Sequence, residues 1–340
     1  MTDLRWTIEP IEALERYATD WDTINRSYDD FTLMSYDFFS EAVKYLTEKP
    51  LKLAICHRKQ EIVCISIIEK VCFGVSRTFQ PSQSPLGAWI QSPAIPTQLL
   101  IKTLAQKLHR LPLGFSITQQ DPNINSLNLR DISECQKLSY IETGSLNSVD
   151  DFDKFWESRG KNLRQNTNKA INRLNKEDEV LSFKIINNKQ DVDVAIDIYA
   201  QLESSGWKSD ENTAITPENN QGLFYKNLFK KLADSKSVII YQLLLGDKII
   251  ASDLTIISKG RTVILKTTYD EKFKRFSPAT VLRKLQFEYI FKNENIKNIE
   301  FYGKMMDWHY RWTHETREMY HLNWLSTLGK YSKKIRGKIK

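Results

Sequence analysis

Residues 274–280, Lys-Arg-Phe-Ser-Pro-Ala-Thr, are the stretch of this 340-residue chain whose composition speaks most directly of chemistry. Ser277-Pro278 opens a helical pattern in which Val281, Leu282, Leu285, Tyr289 and Ile290 recur at helical spacing, running to about Lys292. Serine suits the N-cap and proline fixes the first helical φ. A helix start holds orphan N–H donors at the positive end of the macrodipole, an arrangement that attracts phosphate. Here the amides of Ala279 and Thr280 adjoin Lys274 and Arg275, and the small alanine side chain hinders a close anion little. An ordinary capped helix beside basic residues has the same composition, so spacing alone leaves both readings open.

Two aromatic–basic groups could meet a substrate. Trp207-Lys208 offers stacking area and an anion contact, or anchors a loop on the core. Tyr310, Arg311, Trp312 and Arg317 suit a sugar or an anionic acceptor, and would equally pack a terminal helix. Metal chemistry has little support: the five histidines form no HxxxH or HExxH pattern, and the four cysteines no CxxC pair. Cys56 and Cys64 lie in apolar runs and read as core packing.

The elements that must position these residues fit two domains, given the length and the 41% hydrophobic content. With Gly scarce (12) and Pro modest (10), a disordered or collagen-like chain is excluded. No apolar run is long enough for a membrane span, and the start lacks a secretory layout, so a cytoplasmic location is expected. The net charge of +7 is unevenly placed. Arg159 to Lys176 holds six basic residues and no acid, and the last eleven residues hold six more, from Lys330 to Lys340. That tail reads as a solvated extension suited to weak contact with anionic lipid. Neither basic run is interleaved with aromatics as a nucleic-acid platform would be, so DNA is not an expected partner.

One coarse unit occurs twice. Residues 51–69 and 238–257 each read as strand, polar turn, strand, the second with Gly246-Asp247 at its turn. Helical patterning precedes both: Ile11 to Tyr45 before the first, Val192 to Glu203 and Pro217 to Leu232 before the second. A third strand, a helix and another strand follow both. In the second copy these are Arg261 to Thr268, the helix from Ser277, and Asn298 to Tyr302, with a final strand at Tyr320 to Ser326. In the first they are Val75 to Phe79, Leu100 to His109 and Leu113 to Gln119. Asp150 to Leu174 reads as two helices breaking at Gly160.

Three stretches resemble the FemAB-like, CelD-type branch of the GNAT acyltransferases, in order and over about 120 residues. They are Leu202 to Ile215 with its Trp-Lys pair, Tyr269 to Leu282 with its Tyr-Asp and Ser-Pro, and Phe301 to Leu322 with its glycine and tryptophan. The chain departs from the family in having Ser-Pro-Ala for Ser-Pro-Gly, Trp308-His309 for Tyr-Lys, and no Gln/Arg-x-x-Gly-x-Gly/Ala loop. The resemblance implies an α+β GNAT fold in two tandem lobes: a degenerate lobe at 1–149, an acyltransferase domain at 150–328, and the basic tail at 329–340. It further implies acetyl-CoA or another acyl-CoA as co-substrate, with phosphates at Lys274, Arg275, Ser277, Pro278, Ala279 and Thr280. The pantetheine arm would run along Lys266, Thr267 and Thr268.

Acyl transfer to an amine needs a base and a proton donor for the thiolate or oxyanion. Glu300 is a candidate base, with Tyr302 or Tyr269 as donor and His309 as a second possible base. Trp207, Lys208, Tyr269 and Trp308 would bound the acceptor, a small-molecule or glycan-precursor amine in surface-polysaccharide assembly. Two alternatives stand beside this: an aminoacyl-tRNA-dependent FemAB-like transferase, and a GNAT-shaped scaffold without catalysis. Against the first, the helical candidate at Asp150 to Lys176 is too short for a tRNA-binding arm.

Overall fold

A computed structural model describes residues 3–124, 127–130, 132–148, 151–205, 215–293 and 295–331. Trp207 and Lys208, and the tail from residue 332, lie outside the described residues. Among the described residues thirteen strands are numbered in chain order. They are β1 (Leu4–Pro10), β2 (Leu51–Arg58), β3 (Glu61–Cys72), β4 (Val75–Thr78), β5 (Trp89–Gln91), β6 (Gly114–Gln120) and β7 (Cys135–Asn147). Then follow β8 (Leu181–Ile186), β9 (Val238–Leu245), β10 (Lys248–Ser258), β11 (Arg261–Tyr269), β12 (Asn298–Glu300) and β13 (Glu315–Leu325). The chain divides into two compact units, Met1–Glu142 with Arg317–Lys340, and Thr143–Thr316.

In the first unit β1, β2, β3 and β4 pair antiparallel in succession. The helix Thr97–Leu108 then carries the chain across so that β6 lies parallel to β4. In the second, β8, β9, β10 and β11 pair antiparallel, and the helix Pro278–Phe291 carries the chain to β12, parallel to β11. Helices occupy the stretch between first and second strands in both: Ala18–Asn25 and Tyr36–Leu46, then Lys189–Ser204 and Asn220–Asp234. The element order read twice from the sequence is therefore the fold, two tandem GNAT-like lobes.

The apolar residues that fix each helix are those at helical spacing. Val281, Leu282, Phe287 and Ile290 are fully buried and pack with Tyr241, Leu243 and Ile299. Leu100, Ile101 and Leu104 do the same against Trp89, Phe115 and Leu322 in the first unit. The β9–β10 turn favours its glycine, because Gly246 takes a left-handed backbone, φ +58.

Each sheet closes with a strand from the other half of the sequence, and here the expected boundaries change. The final strand, expected in the second lobe, pairs with β6 through Tyr320↔Gln120 to Leu325↔Gly114 and belongs to the first unit. The second unit is closed instead by the end of β7, through Asn298↔Asn147 to Glu300↔Ser145. Arg317 goes with the first unit too, donating to both carboxylate oxygens of buried Asp121 at 2.8 and 2.6 Å. It is thus not part of a cluster with Tyr310 and Arg311. The strand expected at Asn298 to Tyr302 ends at Glu300, because Tyr302 takes a left-handed backbone, φ 44.

Leu322 is fully buried in the first unit's core although it lies near the end of the chain. Leu322→Ala is expected to destabilise that unit by about 2–5 kcal/mol in urea unfolding. A loss below about 1 kcal/mol would show that the C-terminal strand is dispensable there.

Candidate functional site

The helix Pro278–Phe291 sets the site in the second unit. At its start Ser277 has φ 48 and ψ 52, and its side chain makes no capping bond. The carbonyl of Ser277 accepts instead, from Thr280 N–H at 2.9 Å and Val281 N–H at 3.2 Å. The expectation of a serine side-chain cap with free amides at Ala279 and Thr280 is therefore corrected in two respects. The left-handed backbone removes the hydroxyl from capping geometry, and the Thr280 amide is already used. Ala279, second in the helix after a proline with no N–H, presents the remaining first-turn amide.

A second helix start faces the same space. Lys161–Leu174 begins after Gly160, again with no side-chain cap, and a Cβ added to Gly160 would meet nothing within 4 Å. Between them lies a pocket of about 570 Å³ whose lining includes Ser277, Thr280, Gly160, Asn162, Arg159 and Arg311. Arg159 is held there by donating to the Trp312 carbonyl, and at 3.0 Å to Ser158 Oγ. Its Nε is buried with no partner, so one donor of its fork remains to be satisfied. Burial holds the Arg159 guanidinium below its usual range, with the Glu315 carboxylate opposing. Two helix starts and two guanidiniums around one opening favour a polyanion.

Not all of the expected phosphate contacts reach this pocket's lining. Lys274 and Arg275 are exposed, 3.6 Å from Glu271 and 3.7 Å from Glu177 respectively. Ser277 and Thr280 do line it, whereas Ala279, between them and half-buried, and Pro278, which is buried, are not among its lining residues. Lys266, Thr267 and Thr268 lie on β11 beyond its last pair with β12, Val263↔Glu300. There β11 also carries a bulge at Leu265, since Ile264 pairs with Thr255 and Lys266 with Leu254. The two strands thus pair over three residues only.

Under this splay sits a charged group that the sequence did not single out. Arg283 and Asp253 are both buried, with Nη1 2.9 Å from the carboxylate. The guanidinium also donates to Gln286 Oε1 at 2.6 Å and Thr267 Oγ1 at 2.7 Å. Burial pushes the Asp253 carboxyl up, against the pull of Arg283 and Thr267. Burial likewise pushes Arg283 down, against Asp253. The Arg283 guanidinium carbon is 5.9 Å from the Trp308 ring centroid.

Trp308 is half-exposed, edge-on to Phe301 and stacked on His309 with centroids 3.5 Å apart. His309 is buried, and its Nδ1 accepts the Met306 amide at 2.9 Å. Burial and then the Arg283 charge push the imidazole down to about 4. At neutral pH it is an uncharged ring whose remaining nitrogen, Nε2, carries the proton. Glu300 and Tyr302 are buried at the end of β12. Tyr269 is half-buried, its phenol pushed up by burial and then by Glu271. Among the described residues no group of three or more His, Cys, Asp or Glu could hold a metal ion.

Two outcomes follow. Asp253→Leu and Arg283→Met alone should each cost about 3–5 kcal/mol by stranding a buried charge, while the double variant costs less than either. Additive losses in a double-mutant cycle would deny the coupling. For His309 the folded-state value lies below the unfolded one, so between about 6.5 and 4 only the unfolded chain takes up the proton. Stability should fall by roughly 2–3 kcal/mol as pH drops through that window, and be flat above it. His309→Gln should lack this component in urea unfolding at both ends of the window.

Residues 161–310 match the family described as Acetyltransferase (GNAT) domain. No curated protein matches the chain in sequence. In structure the chain is similar to FemX, with a TM-score of 0.56 at 10% identity, over 90% of this chain and 97% of that one. It is similar to L-PGS from Bacillus licheniformis, with a TM-score of 0.55 at 12% identity, over 97% and 96% of the two chains. A third likeness is to the C-terminal DUF2156 domain of an Agrobacterium fabrum protein assigned as a lysylphosphatidylglycerol synthetase, with a TM-score of 0.57 at 12% identity, over 94% and 93%. Identities this low speak for the fold alone. The chain has a tandem GNAT fold, and residues 161–310 are the part of it that matches the GNAT-domain family.

Proposed function

We propose that the second unit is an N-acyltransferase that receives an acyl-CoA donor in the pocket between the starts of the helices Lys161–Leu174 and Pro278–Phe291. The observation that carries this reading is the meeting of two helix starts without side-chain caps with Arg159 and Arg311 around one opening. The Ala279 amide and the first-turn amides after Gly160 would donate to the diphosphate, with the positive charge of the Arg159 guanidinium at the pocket wall. Lys274 and Arg275 add long-range attraction from outside the lining. Lys266, Thr267 and Thr268, on the unpaired part of β11, suit the pantetheine arm.

Chemistry at the far end of that arm falls to the residues around the end of β12. Glu300 is proposed as the base that takes the amine proton, and Tyr302 or Tyr269 as donor to the departing thiolate. His309 fits a donor role better than the base role, because Nδ1 is occupied and Nε2 carries the proton. Trp308 would wall the acceptor, with Trp207 and Lys208 proposed on its other side. The acceptor proposed is an amine of a glycan precursor in CelD-type polysaccharide modification.

A second donor class is favoured by the likeness in fold to FemX and L-PGS and by Lys161, Lys169 and Arg173 exposed along one helix. In that reading the pocket takes the phosphates of an aminoacyl-tRNA end. The two are separated by binding. Acyl-CoA at about a hundred times its Kd should stabilise the protein by about 2.7 kcal/mol, seen as a rise in Tm of several degrees. Thr280→Glu, which places a carboxylate in the pocket, and Arg311→Ala should each weaken that binding about tenfold or more. Strong, steeply salt-dependent binding of charged tRNA without any acyl-CoA shift would transfer the proposal to the second donor. Binding of neither would refute both.

A further inference from the structure

We propose that the first unit carries a docking site for anionic phospholipid at a bilayer surface, built around a basic pocket between β2, β3 and the helix Thr97–Leu108. The pocket is about 510 Å³ and lies within one unit, apart from the donor site. Three ammonium groups, Lys49, Lys52 and Lys70, stand around walls that are largely apolar, with Leu51, Val71 and Leu108 among them. The acid in the lining, Glu69, is engaged by Arg77, and Glu48 is exposed beside Lys49. Among the described residues no carboxylate lies within 4.0 Å of any of the three lysines.

The uncompensated charge is felt by a neighbouring group. His109 Nε2 is 3.0 Å from Ser76 Oγ at the pocket wall. Burial, then the charges of Lys70 and Lys52, hold the imidazole below its ordinary range. An anion seated among the lysines would cancel part of that field and raise it again.

The apolar rim selects the occupant. Phe73, which follows the lining residue Cys72, is 69% exposed, and Leu111, two residues after His109, is 44% exposed. Their chain segments run close together: a Cβ on Gly74, the residue after Phe73, would lie 2.6 Å from the Leu111 carbonyl. Exposed phenylalanine and leucine beside a lysine ring, with Arg110 also exposed, form the amphipathic arrangement that seats at a lipid interface. A free phosphate would use the lysines and leave Phe73 and Leu111 in water. A headgroup in a bilayer satisfies both.

The test is sedimentation of the full chain with mixed phosphatidylglycerol–phosphatidylcholine vesicles against pure phosphatidylcholine. The protein is expected to bind the mixed vesicles and not the pure ones. Lys52→Ser and Lys70→Ser should each weaken binding about fivefold. Phe73→Ser should weaken it on the same vesicles with no change in charge. All three side chains are largely outside the core, and an unchanged urea midpoint confirms folding. Binding that is equal in wild type and the three variants overturns the proposal, as does equal binding to both vesicle types. The His109 ring signals followed by NMR supply the other arm. A rise in its pKa with mixed vesicles supports the site, whereas a rise with inorganic phosphate alone, and no vesicle binding, overturns the lipid assignment.

Discussion

The buried Asp253–Arg283 pair is the constraint on which the geometry of the second unit rests. Removing two charges from water costs several kcal/mol each, and only close geometry with further hydrogen bonds offsets it. The guanidinium meets that condition, with the carboxylate at 2.9 Å and two further acceptors, Gln286 and Thr267, whereas neither buried Asp253 oxygen makes a well-formed hydrogen bond and the carboxylate leans on the ion pair. Because Asp253 is on β10, Thr267 on β11 and Arg283 on the helix Pro278–Phe291, one guanidinium fixes the helix over two strands. The start of that helix, about a turn and a half back, is thereby fixed as well, with Ser277 and Thr280 at the pocket. The same charge reaches His309 and helps keep it neutral. A network of this kind tolerates few alternative arrangements, since any shift strands a charge.

Strand exchange is the second organising feature. Each unit has the order of strands, hairpin, crossover helix and parallel strand that defines its lobe, yet each takes its closing strand from the other half of the chain. A contiguous half of the sequence is therefore not a complete folding unit. The first unit needs β13 to cover β6, with Tyr320, Leu322 and Trp324 in its core. The second needs the last residues of β7 to cover the edge of β12. Unpaired edges would otherwise expose backbone donors and acceptors.

Much of this was legible from pattern. The two hairpins at 51–69 and 238–257 stood out because apolar β-rich runs flank polar turns. The break at Gly160 and the start at Ser277-Pro278 were marked by residues with restricted or unusual backbone freedom. Arg159 is visible in a basic run and Arg311 in an aromatic–basic group, but that both line one pocket is not, because that depends on tertiary packing. β7, Cys135–Asn147, was not legible: most of its side chains are half-buried or exposed, so it lacks apolar alternation. The partner of β13 was hidden for another reason, since a strand's pattern shows that it pairs but not with which sheet. Asp253 sits within an apolar strand pattern and Arg283 beside Lys284 in a helix thirty residues on, and nothing in one sequence joins them. The left-handed Ser277 and Tyr302 were equally hidden, because neither residue type announces positive φ.

In the proposed site, two helix starts and two guanidiniums surround one opening that would take the donor's diphosphate. A crystal structure of the protein with coenzyme A bound tests it most directly. The expected result is a diphosphate within hydrogen-bond reach of the Ala279 amide and the Arg159 and Arg311 guanidiniums, with the pantetheine arm along Lys266 to Thr268. Coenzyme A bound with its diphosphate away from that pocket, or no bound coenzyme A at saturating concentration, would contradict it.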